Sequence, residues 1–428
     1  MFTVFRVITF LVLLFLAQIV GWRVWRRRFN HPVYRLSVTI VFILFNIGWL
    51  VTLYEWRNKS DFGGNFLAWV ARPAIAWQTL HALIILPVLA LASVLARLGL
   101  FLREKLSKAP QPQAPETKQD SETQPPAPLP SLLAPPDRRQ FLKTAANVGF
   151  FSLIGLCSYA VFRQYRSPEI KRLTLEVANL PKSLEGFTIA QLSDIHIGLW
   201  STEKELDSAM LAARVEKPDL VVLTGDLVDR DPDMAALYGP PLQRHLSDVP
   251  YGVWGILGNH DHFTDPARIA RILRLVGVKM LIDQRHNFPD LPLSLVGLDD
   301  RRRNFIAARN PHSDPDLLVL DPLTGPPVRA EDFKILLNHR PEGVNQAMRA
   351  GFNLYLAGHT HGGQYSWPGS DHQLNLATFF YKYTAGLYPL ESGWLNVSCG
   401  LAAVGVPFRL ITWPEISLIT LKRPAQIS

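Results

Sequence analysis

Cysteine is the scarcest informative residue type in this sequence of 428 residues. Only two are present, Cys157 inside an apolar run and Cys399 near the C-terminus. So few thiols exclude a zinc cage made of cysteines, and their positions do not favour a disulfide. They also give no indication of the redox compartment.

Acidic charge is scarce in the first part of the chain. Residues 1–172 hold 21 Lys and Arg against 8 Asp and Glu, whereas the remainder holds 23 against 28. The net charge of +8 therefore comes from the N-terminal part, which is also strongly apolar. Positive charge in that setting usually fixes membrane orientation, so we expect no nucleic-acid partner.

Long apolar runs are what the N-terminal part has instead. They lie at about 7–22, 36–54, 74–102 and 144–162. A single run of this kind is compatible with a buried core helix, but four in succession favour the membrane. We predict an all-α transmembrane region with three helices in residues 1–103 and a fourth helix within 137–165. The lipid bilayer is therefore an expected partner.

Charge and composition between these runs predict the orientation of the chain. The loop after the first run carries Arg23, Arg26 and Arg27, which should face the cytoplasm. Residues 104–136 are rich in Pro and Gln and predict a disordered linker. The stretch DRRQFLK at 137–143 resembles a twin-arginine export motif, although paired arginines also occur as an ordinary positive flank. We expect a multi-pass protein of the bacterial inner membrane, exported by the twin-arginine machinery, with residues 170–428 on the outer, periplasmic face.

Beyond residue 172 the sequence alternates short β-branched runs with helical stretches. Five runs read as buried strands that end in polar residues: TIAQLSD (188–194), LVVLTGD (220–226), YGVWGILGNHD (251–261), FKILLNH (333–339) and FNLYLAGHTH (352–361). Thr202 and Glu205 form a capping box that opens a helix ending near Glu216. This alternation indicates an α/β fold. The tail runs WLNVSCG and EISLITL add strands without helices between them, which predicts a second sheet.

The polar residues at the strand ends have the chemistry of metal ligands. In layered α/β folds the carboxyl ends of parallel strands meet at one edge, so these side chains should converge. Aspartate, histidine and asparagine oxygen and nitrogen atoms suit a divalent cation such as Mn²⁺, Fe²⁺ or Zn²⁺. Each residue alone has an ordinary explanation as a capping or turn residue, but five strand ends of this kind together do not. The set is Asp194, His196, Asp226, Asp229, Asn259, His260, His339, His359 and His361.

The series D-x-H, GDxxD, GNHD, an isolated His and GHTH resembles the calcineurin-like metallophosphoesterase superfamily. The resemblance covers roughly residues 170–428. The ending GHTHGGQ, with TAGLYPL and LNVSCGL, is similar to a bacterial, membrane-anchored branch with a twin-arginine-type signal, which includes UDP-diacylglucosamine pyrophosphatase-like phosphodiesterases. The resemblance implies a two-sheet β-sandwich flanked by helices, with two divalent metal ions along one edge.

The resemblance also implies a role for each residue of the set. The first metal would be held by Asp194, His196, Asp226 and His361, and the second by Asp226, Asn259, His339 and His359. A hydroxide between the metals would attack phosphorus. His260, oriented by Asp229, would protonate the leaving group or stabilise the charged transition state.

Three functions follow as hypotheses. The first is a membrane-anchored, metal-dependent hydrolase of phosphomonoesters or phosphodiesters. The second keeps that chemistry but narrows the substrate to lipid-linked phosphates or nucleotide-sugar pyrophosphates. The third is a non-enzymatic scaffold with a degenerate site, which the intact motifs disfavour. Substrate-binding residues are not assigned, although Arg230 and the charged cluster Asp299–Arg303 are candidates for contact with substrate.

Overall fold

The computed structural model describes residues 167–198, 201–300, 323–366, 375–404, 409 and 412–424, with scattered helical positions before residue 160. Two compact units divide the chain. The first comprises Met1–Asn46 and Trp77–Cys157, of which only isolated positions are described. The second includes Ser158–Ser428 and contains every strand described below.

The predicted membrane segments lie almost entirely outside the described residues. This holds for the three helices of residues 1–103, for the linker at 104–136, and for the export motif with its helix at 137–165. Within the described part of the chain, no helix combines the length and the apolar character needed to cross a bilayer. The membrane region therefore stays a prediction.

Two six-stranded mixed sheets form the second unit. The first has the order β1-β12-β2-β3-β4-β5 and the second β10-β11-β9-β8-β7-β6. In the first, β2, β3, β4 and β5 are parallel, and so are β7, β8, β9 and β11 in the second. The strands are β1 (Glu169–Glu176), β2 (Thr188–Leu192), β3 (Leu220–Thr224), β4 (Val253–Ile256), β5 (Lys279–Met280), β6 (Gln284–Asn287), β7 (Leu293–Gly297), β8 (Phe333–Leu337), β9 (Leu354–Ala357), β10 (Gly386–Leu390), β11 (Gly393–Val397) and β12 (Glu415–Lys422).

Helices cover the outer faces of both sheets. The three regular ones are α1 (Glu203–Val215), α2 (Pro266–Leu275) and α3 (Val344–Arg349). A further helical segment combines a 3₁₀ turn, Pro232–Tyr238, with the turns Gly239–Pro241 and Leu242–Leu246. Short 3₁₀ turns lie at Lys182–Leu184, Asp261–Phe263, His361–Gly363 and Leu376–Phe379.

The apolar pattern explains why the layers form in this order. The strand β3 is buried on both faces: Leu220 and Val222 pack between the two sheets, while Val221 and Leu223 face the helices. A continuous apolar run is typical of such a strand. The helix α1 buries one stripe at helical spacing, Leu206, Ala209, Met210 and Ala213. The result is a helix–sheet–sheet–helix arrangement, which confirms the two-sheet α/β expectation for the described part of the chain.

All five runs predicted as buried strands are strands, and the predicted capping box begins α1. The backbone N–H of Thr202 donates to the Glu205 carboxylate at 3.0 Å. The second sheet predicted from the tail is present, but the two tail runs enter different sheets. WLNVSCG supplies β11 of the second sheet, but EISLITL supplies β12, which enters the first sheet antiparallel to β2. Strand propensity alone does not select between these partners, because either sheet buries the same apolar residues.

Candidate dinuclear metal centre

The predicted site residues follow the carboxyl ends of five strands. They lie after β2 and β3, after β4 of the same sheet, and after β8 and β9 of the second sheet. Because β2, β3 and β4 are parallel, and β8 and β9 are parallel, their ends meet at one edge of the sandwich. The sequence order of the strands therefore brings distant residues into one site.

Five of the seven predicted metal ligands have left-handed backbone conformations. Their φ angles are 51° at Asp194, 48° at His196, 52° at Asp226, 71° at His359 and 52° at His361. Such angles are uncommon for residues other than glycine, although Asp, Asn and His adopt them more readily than most. A concentration of this conformation at one edge is typical of a functional site, because the surrounding fold must stabilise it.

The first group of ligands is compact and buried. Asp194, His196, Asp226 and His361 place one ligand atom each within 4.8 Å of one another. The Nε2 atom of His361 lies 3.3 Å from Asp194 Oδ1, and the Nε2 atom of His196 lies 3.6 Å from Asp226 Oδ2. The two Nε2 atoms are 3.2 Å apart. The four residues therefore enclose one small volume.

The second group shares Asp226 with the first. Asp226, His339 and His359 also place ligand atoms within 4.8 Å of one another. The Nε2 atom of His339 lies 3.2 Å from Asp226 Oδ2. Asn259 is buried, and its Oδ1 atom has no hydrogen-bond partner in the described structure. Asp226 is therefore placed to serve two adjacent centres.

The hydrogen bonds of the imidazoles test whether these groups fit cations. The Nδ1 atoms of His339 and His361 lie 2.9 and 2.8 Å from the carbonyls of Thr224 and Ala402, so each Nδ1 carries the hydrogen and donates it. In the neutral ring this leaves a lone pair on Nε2. That lone pair faces a carboxylate oxygen, which is also an acceptor. Two facing acceptors need a positive charge between them, so the residues fit metal ions.

His196 follows the same pattern with a carboxylate behind it. Its Nδ1 lies 3.1 Å from Asp229 Oδ1, and its Nε2 points at the first group. An imidazole oriented from behind by a carboxylate or a carbonyl is the usual arrangement of a metal-binding histidine. All three buried histidines thus present Nε2 to the site.

The pKa values show how negative the site is. Burial alone would lower the pKa of His196, but Asp229, Asp226 and Asp194 raise it to about 9. Burial would also lower the pKa of His339, but the negative charges nearby, above all that of Asp226, raise it to about 10. The same negative field favours a divalent cation at these nitrogens.

Asp229 holds a second imidazole, that of His260. The Nδ1 atom of His260 lies 2.8 Å from Asp229 Oδ1, and its ring packs edge-on against His196. Although burial opposes ionisation, His196 and His260 hold the pKa of Asp229 well below its ordinary value. Since Nδ1 donates to Asp229, Nε2 is the atom of His260 that can exchange a proton with a substrate.

Two glycines allow these carboxylates to sit where they do. A Cβ on Gly258 would lie 2.3 Å from both the backbone nitrogen and the Oδ1 atom of Asp226. A Cβ on Gly358 would lie 2.2 Å from Asp194 Oδ2. The strand-end loops therefore pack backbone directly against the predicted ligands.

Asp261, the last residue of the GNHD motif, braces two loops of the site. Its buried carboxylate accepts hydrogen bonds from the backbone N–H groups of Val228, Gly258 and Leu227, at 2.9, 2.8 and 3.1 Å. Burial, and then the charge of Asp226, raise the pKa of Asp261 to about 7. Its position in GNHD is the only sequence signal for this role.

Arg340 and Tyr381 were not anticipated as neighbours of the site. The Nη1 atom of Arg340 lies 2.8 Å from His359 Nε2, and the hydroxyl of Tyr381 lies 3.0 Å from the same atom. Arg340 is itself held by Asp300, with its Nε 2.7 Å from Oδ1. The adjacency of Arg340 to His339 in sequence was an available signal, whereas nothing marked Tyr381.

The loop behind His361 depends on a fully buried arginine. Arg409 donates to the carbonyls of Cys399 and Ala402, the first at 2.7 Å and the second at 2.5 Å. Ala402 is also the carbonyl that orients His361. Through this carbonyl Arg409 helps to hold the predicted ligand His361, although the two residues lie far apart in sequence.

The charged cluster proposed for substrate contact is only partly described. Residues 301–303 lie outside the described part of the chain. Asp299 pairs with His262 at 2.5 Å and Asp300 pairs with Arg340. Arg230 is half-buried and has a left-handed φ of 65°. Contact of these residues with substrate stays a prediction.

Comparison with known proteins identifies the class of this chain. The family model for calcineurin-like phosphoesterases matches residues 187–363, which include all nine predicted site residues. The Bacillus subtilis (strain 168) protein described as uncharacterized metallophosphoesterase YkuE is 32% identical over 293 residues, which cover 67% of this chain and 97% of that protein. The chain therefore belongs to the calcineurin-like metallophosphoesterases.

Further similarities extend to other organisms. A Bos taurus protein described as a transmembrane protein with metallophosphoesterase domain is 28% identical over 284 residues, covering 63% of this chain and 60% of the relative. The crystal structure of a dimetal phosphatase from Danio rerio has 15% sequence identity and a TM-score of 0.32, and the match covers 51% of this chain and 88% of that one. Family membership and the clustered ligands make this chain a metal-dependent phosphoester hydrolase with two divalent metal ions.

Proposed function

We propose that this chain is a membrane-anchored hydrolase of phosphomonoesters or phosphodiesters, whose two metal ions are held by the seven predicted ligands. The observation that carries the proposal is the convergence of three Nε2 lone pairs on two buried carboxylates, Asp194 and Asp226. When bound there, the metals supply activation of water and neutralisation of the charge on the phosphoryl group.

The protein's own residues would perform the remaining work. Asp226 lies between the two ligand groups and would fix their separation. His260, oriented by Asp229, would hold a proton at Nε2 and deliver it to the leaving oxygen. Asn259, with its unpartnered Oδ1, would complete the second group.

The assignment is tested by hydrolysis of two synthetic substrates, nitrophenyl phosphate and bis(nitrophenyl) phosphate. We expect Asp226→Asn to lose bound metal and activity together. We expect His260→Ala to keep its metal while kcat falls on the order of 10²–10⁴-fold, because only proton transfer is lost. Activity of both variants at the level of the parent chain would refute the assignment, and preference between the two substrates would distinguish monoesterase from diesterase.

For the location we propose the inner membrane, with four spanning helices and the catalytic domain on the outer face. The support is the four apolar runs and their flanking charges, together with a relative that is described as a transmembrane protein. Protease added to spheroplasts tests this: the catalytic domain should be digested from outside while a cytoplasmic control protein stays intact. Replacing Arg138 and Arg139 by lysine should abolish export and with it the digestion, and a catalytic domain of the parent chain that resists the protease would contradict the proposed orientation.

A second candidate, a lipid-linked or nucleotide-sugar substrate, is favoured by exposed aromatic side chains beside the site. Phe379 and Phe380 are 81% and 83% exposed and precede Tyr381, which contacts His359. Phe263, 73% exposed, packs on the ring of His260 at 4.9 Å. Exposed apolar groups rarely cluster without a partner, and acyl chains would cover them.

The two substrate classes are separable by one set of variants. Phe379→Ser with Phe380→Ser should raise KM for a short-chain lipid phosphoester while leaving hydrolysis of nitrophenyl phosphate unchanged. Leu275→Ser, at an equally exposed position on α2, is the matched control. An equal effect on both substrates, or none on the lipid, would exclude the lipid-linked class.

A further inference from the structure

A second concave site lies at the open edge of the sandwich, where β5 ends one sheet and β6 ends the other. It is a cavity of about 480 Å³, within the size range of small-molecule sites. Its lining shares no residue with the metal centre. The cavity is therefore a separate feature of the molecule.

The charge of the lining is of one sign. Arg274, Lys279, Arg285 and His286 contribute to it, and among the described residues that line the cavity there is no aspartate or glutamate. None of the three permanent cations has an ion-pair partner among the described residues. Burial, and then the charge of Lys279, lower the pKa of His286, so the imidazole itself experiences the positive field.

The cationic groups are held in place by the fold. Residues 323–325 pair with β6: Arg285 N–H donates to the Thr324 carbonyl at 2.8 Å, and the Arg285 Nη2 atom donates to the Leu323 carbonyl at 2.7 Å. A Cβ on Gly325 would lie 2.3 Å from the Arg285 carbonyl, so only glycine permits this approach. The Nε atom of Arg285 is buried and has no hydrogen-bond partner in the described structure.

An aromatic wall faces these cations. The Nζ atom of Lys279 lies 5.0 Å from the ring centroid of Trp254, which positions the ammonium group over the ring. His286 packs against the same ring at 4.3 Å. On α2, Arg274 donates to the Met280 carbonyl at 3.3 Å and lines the cavity. Three fixed cations around one cavity suit a small anion of multiple charge.

We propose that this cavity is an anion-binding site for a phosphate-type group, distinct from the catalytic centre. The group belongs either to a free phosphorylated small molecule or to an anionic lipid headgroup, since both present the same oxygens to arginine and lysine. A ligand bound there would hold β5, β6 and the segment 323–325 together at the edge of the sandwich.

The test uses the full metal-loaded chain in detergent. Calorimetric titration with methylene diphosphonate, whose P–C–P link resists hydrolysis, should show binding beyond that at the metal centre. Arg274→Gln and Lys279→Gln should each weaken this component by about tenfold, the effect of losing one charged hydrogen bond. Arg271→Gln, on the same helix but outside the cavity, is the matched control and should leave it unchanged.

A second arm distinguishes the sources of the phosphate group. If a lipid headgroup is the ligand, the two variants should bind micelles that contain phosphatidic acid more weakly than the parent chain does. If the ligand is a free small molecule, the two variants should bind the diphosphonate more weakly. Hydrolysis of nitrophenyl phosphate should stay at the parent level in all three variants, which shows that they are folded and metal-loaded. Affinities of Arg274→Gln and Lys279→Gln equal to that of Arg271→Gln in both arms would overturn the proposal.

Discussion

At the scale of single residues, the site depends on backbone conformations that most side chains avoid. Asp194, Asp226 and His361 have positive φ angles, and the neighbouring glycines leave no room for a Cβ. Strain of this kind costs about 1–3 kcal/mol per residue and persists only where the surroundings fix it. Here the fixing groups are the hydrogen bonds behind each ligand, such as that from His361 to Ala402.

Gly258→Ala tests the close approach at Asp226. The new methyl group would lie 2.3 Å from the Asp226 carboxylate, so the carboxylate must move and the shared position between the ligand groups is lost. We expect bound metal, measured by atomic emission, and hydrolysis to fall together, while circular dichroism stays close to that of the parent chain.

The control for this substitution is Gly186→Ala. Gly186 has a positive φ of 81° but open space around a Cβ, and it precedes β2 at the end opposite the site. The substitution adds backbone strain but no contact with a ligand, so the metal content of the Gly186→Ala variant should equal that of the parent chain. Full metal occupancy in Gly258→Ala would show that the loop accommodates the methyl group.

At the scale of elements, loops from the two sheets are tied to each other beside the site. The turn Asp261–Phe263 follows β4 of the first sheet, and Asp299 follows β7 of the second. His262 joins them through its Nε2 contact of 2.5 Å with Asp299. Burial would lower the pKa of His262, but the hydrogen bond and charge of Asp299 raise it above the ordinary value of 6.5.

The raised pKa of His262 predicts a pH-dependent contribution to stability. Protonated His262 is favoured in the folded state, so its stabilisation is complete below pH 6.5 and is lost as pH rises through the folded pKa. We expect Asp299→Asn to lower the free energy of unfolding most at acidic pH and least at alkaline pH. Denaturant titrations of the full chain across this range measure the difference.

The matched comparison is the same substitution in a chain that lacks the histidine. In the His262→Gln background, Asp299→Asn should lower the free energy of unfolding by an amount that does not change with pH in this range. A pH-dependent cost in both backgrounds would assign the effect to another group.

At the scale of the whole molecule, a buried polar network joins the two sheets beneath the site. Gln191 of β2 donates to the Ala357 carbonyl of β9 at 2.8 Å, and Asn396 of β11 donates to Gln191 at 2.8 Å. Asn396 also donates to Ser417 of β12 at 3.0 Å. These bonds set how the sheets lie on each other, and with them the separation of ligands from different sheets.

Gln191→Leu tests the network. It removes three buried hydrogen bonds, those from Gln191 to Thr224 and to the Ala357 carbonyl and that from Asn396 to Gln191, and each contributes about 1 kcal/mol. We expect a loss of about 3 kcal/mol in the free energy of unfolding. Ile189→Val on the same strand, which removes one methyl group and no hydrogen bond, should cost about 1 kcal/mol. Equal losses in the two variants would mean that the network contributes no more than packing.

The sequence by itself determined the local elements and the chemistry of the site. The strand LVVLT forms because its first four residues are apolar and β-branched or aliphatic, and Thr202 with Glu205 begins a helix because its capping bonds are local. Asp194 and His361 carried ligand chemistry in their residue types and strand-end positions. These signals arise within a few residues of chain, so no partner is needed to read them.

Only the tertiary structure decided which distant groups meet. It placed β12 beside β2, turned Asp261 inward as a brace, and brought Arg340 onto His359. It also joined Arg274 on α2 to Arg285 on β6 around one cavity. Such contacts depend on the packing of two sheets and on buried hydrogen bonds between residues far apart in sequence, and no local pattern encodes either.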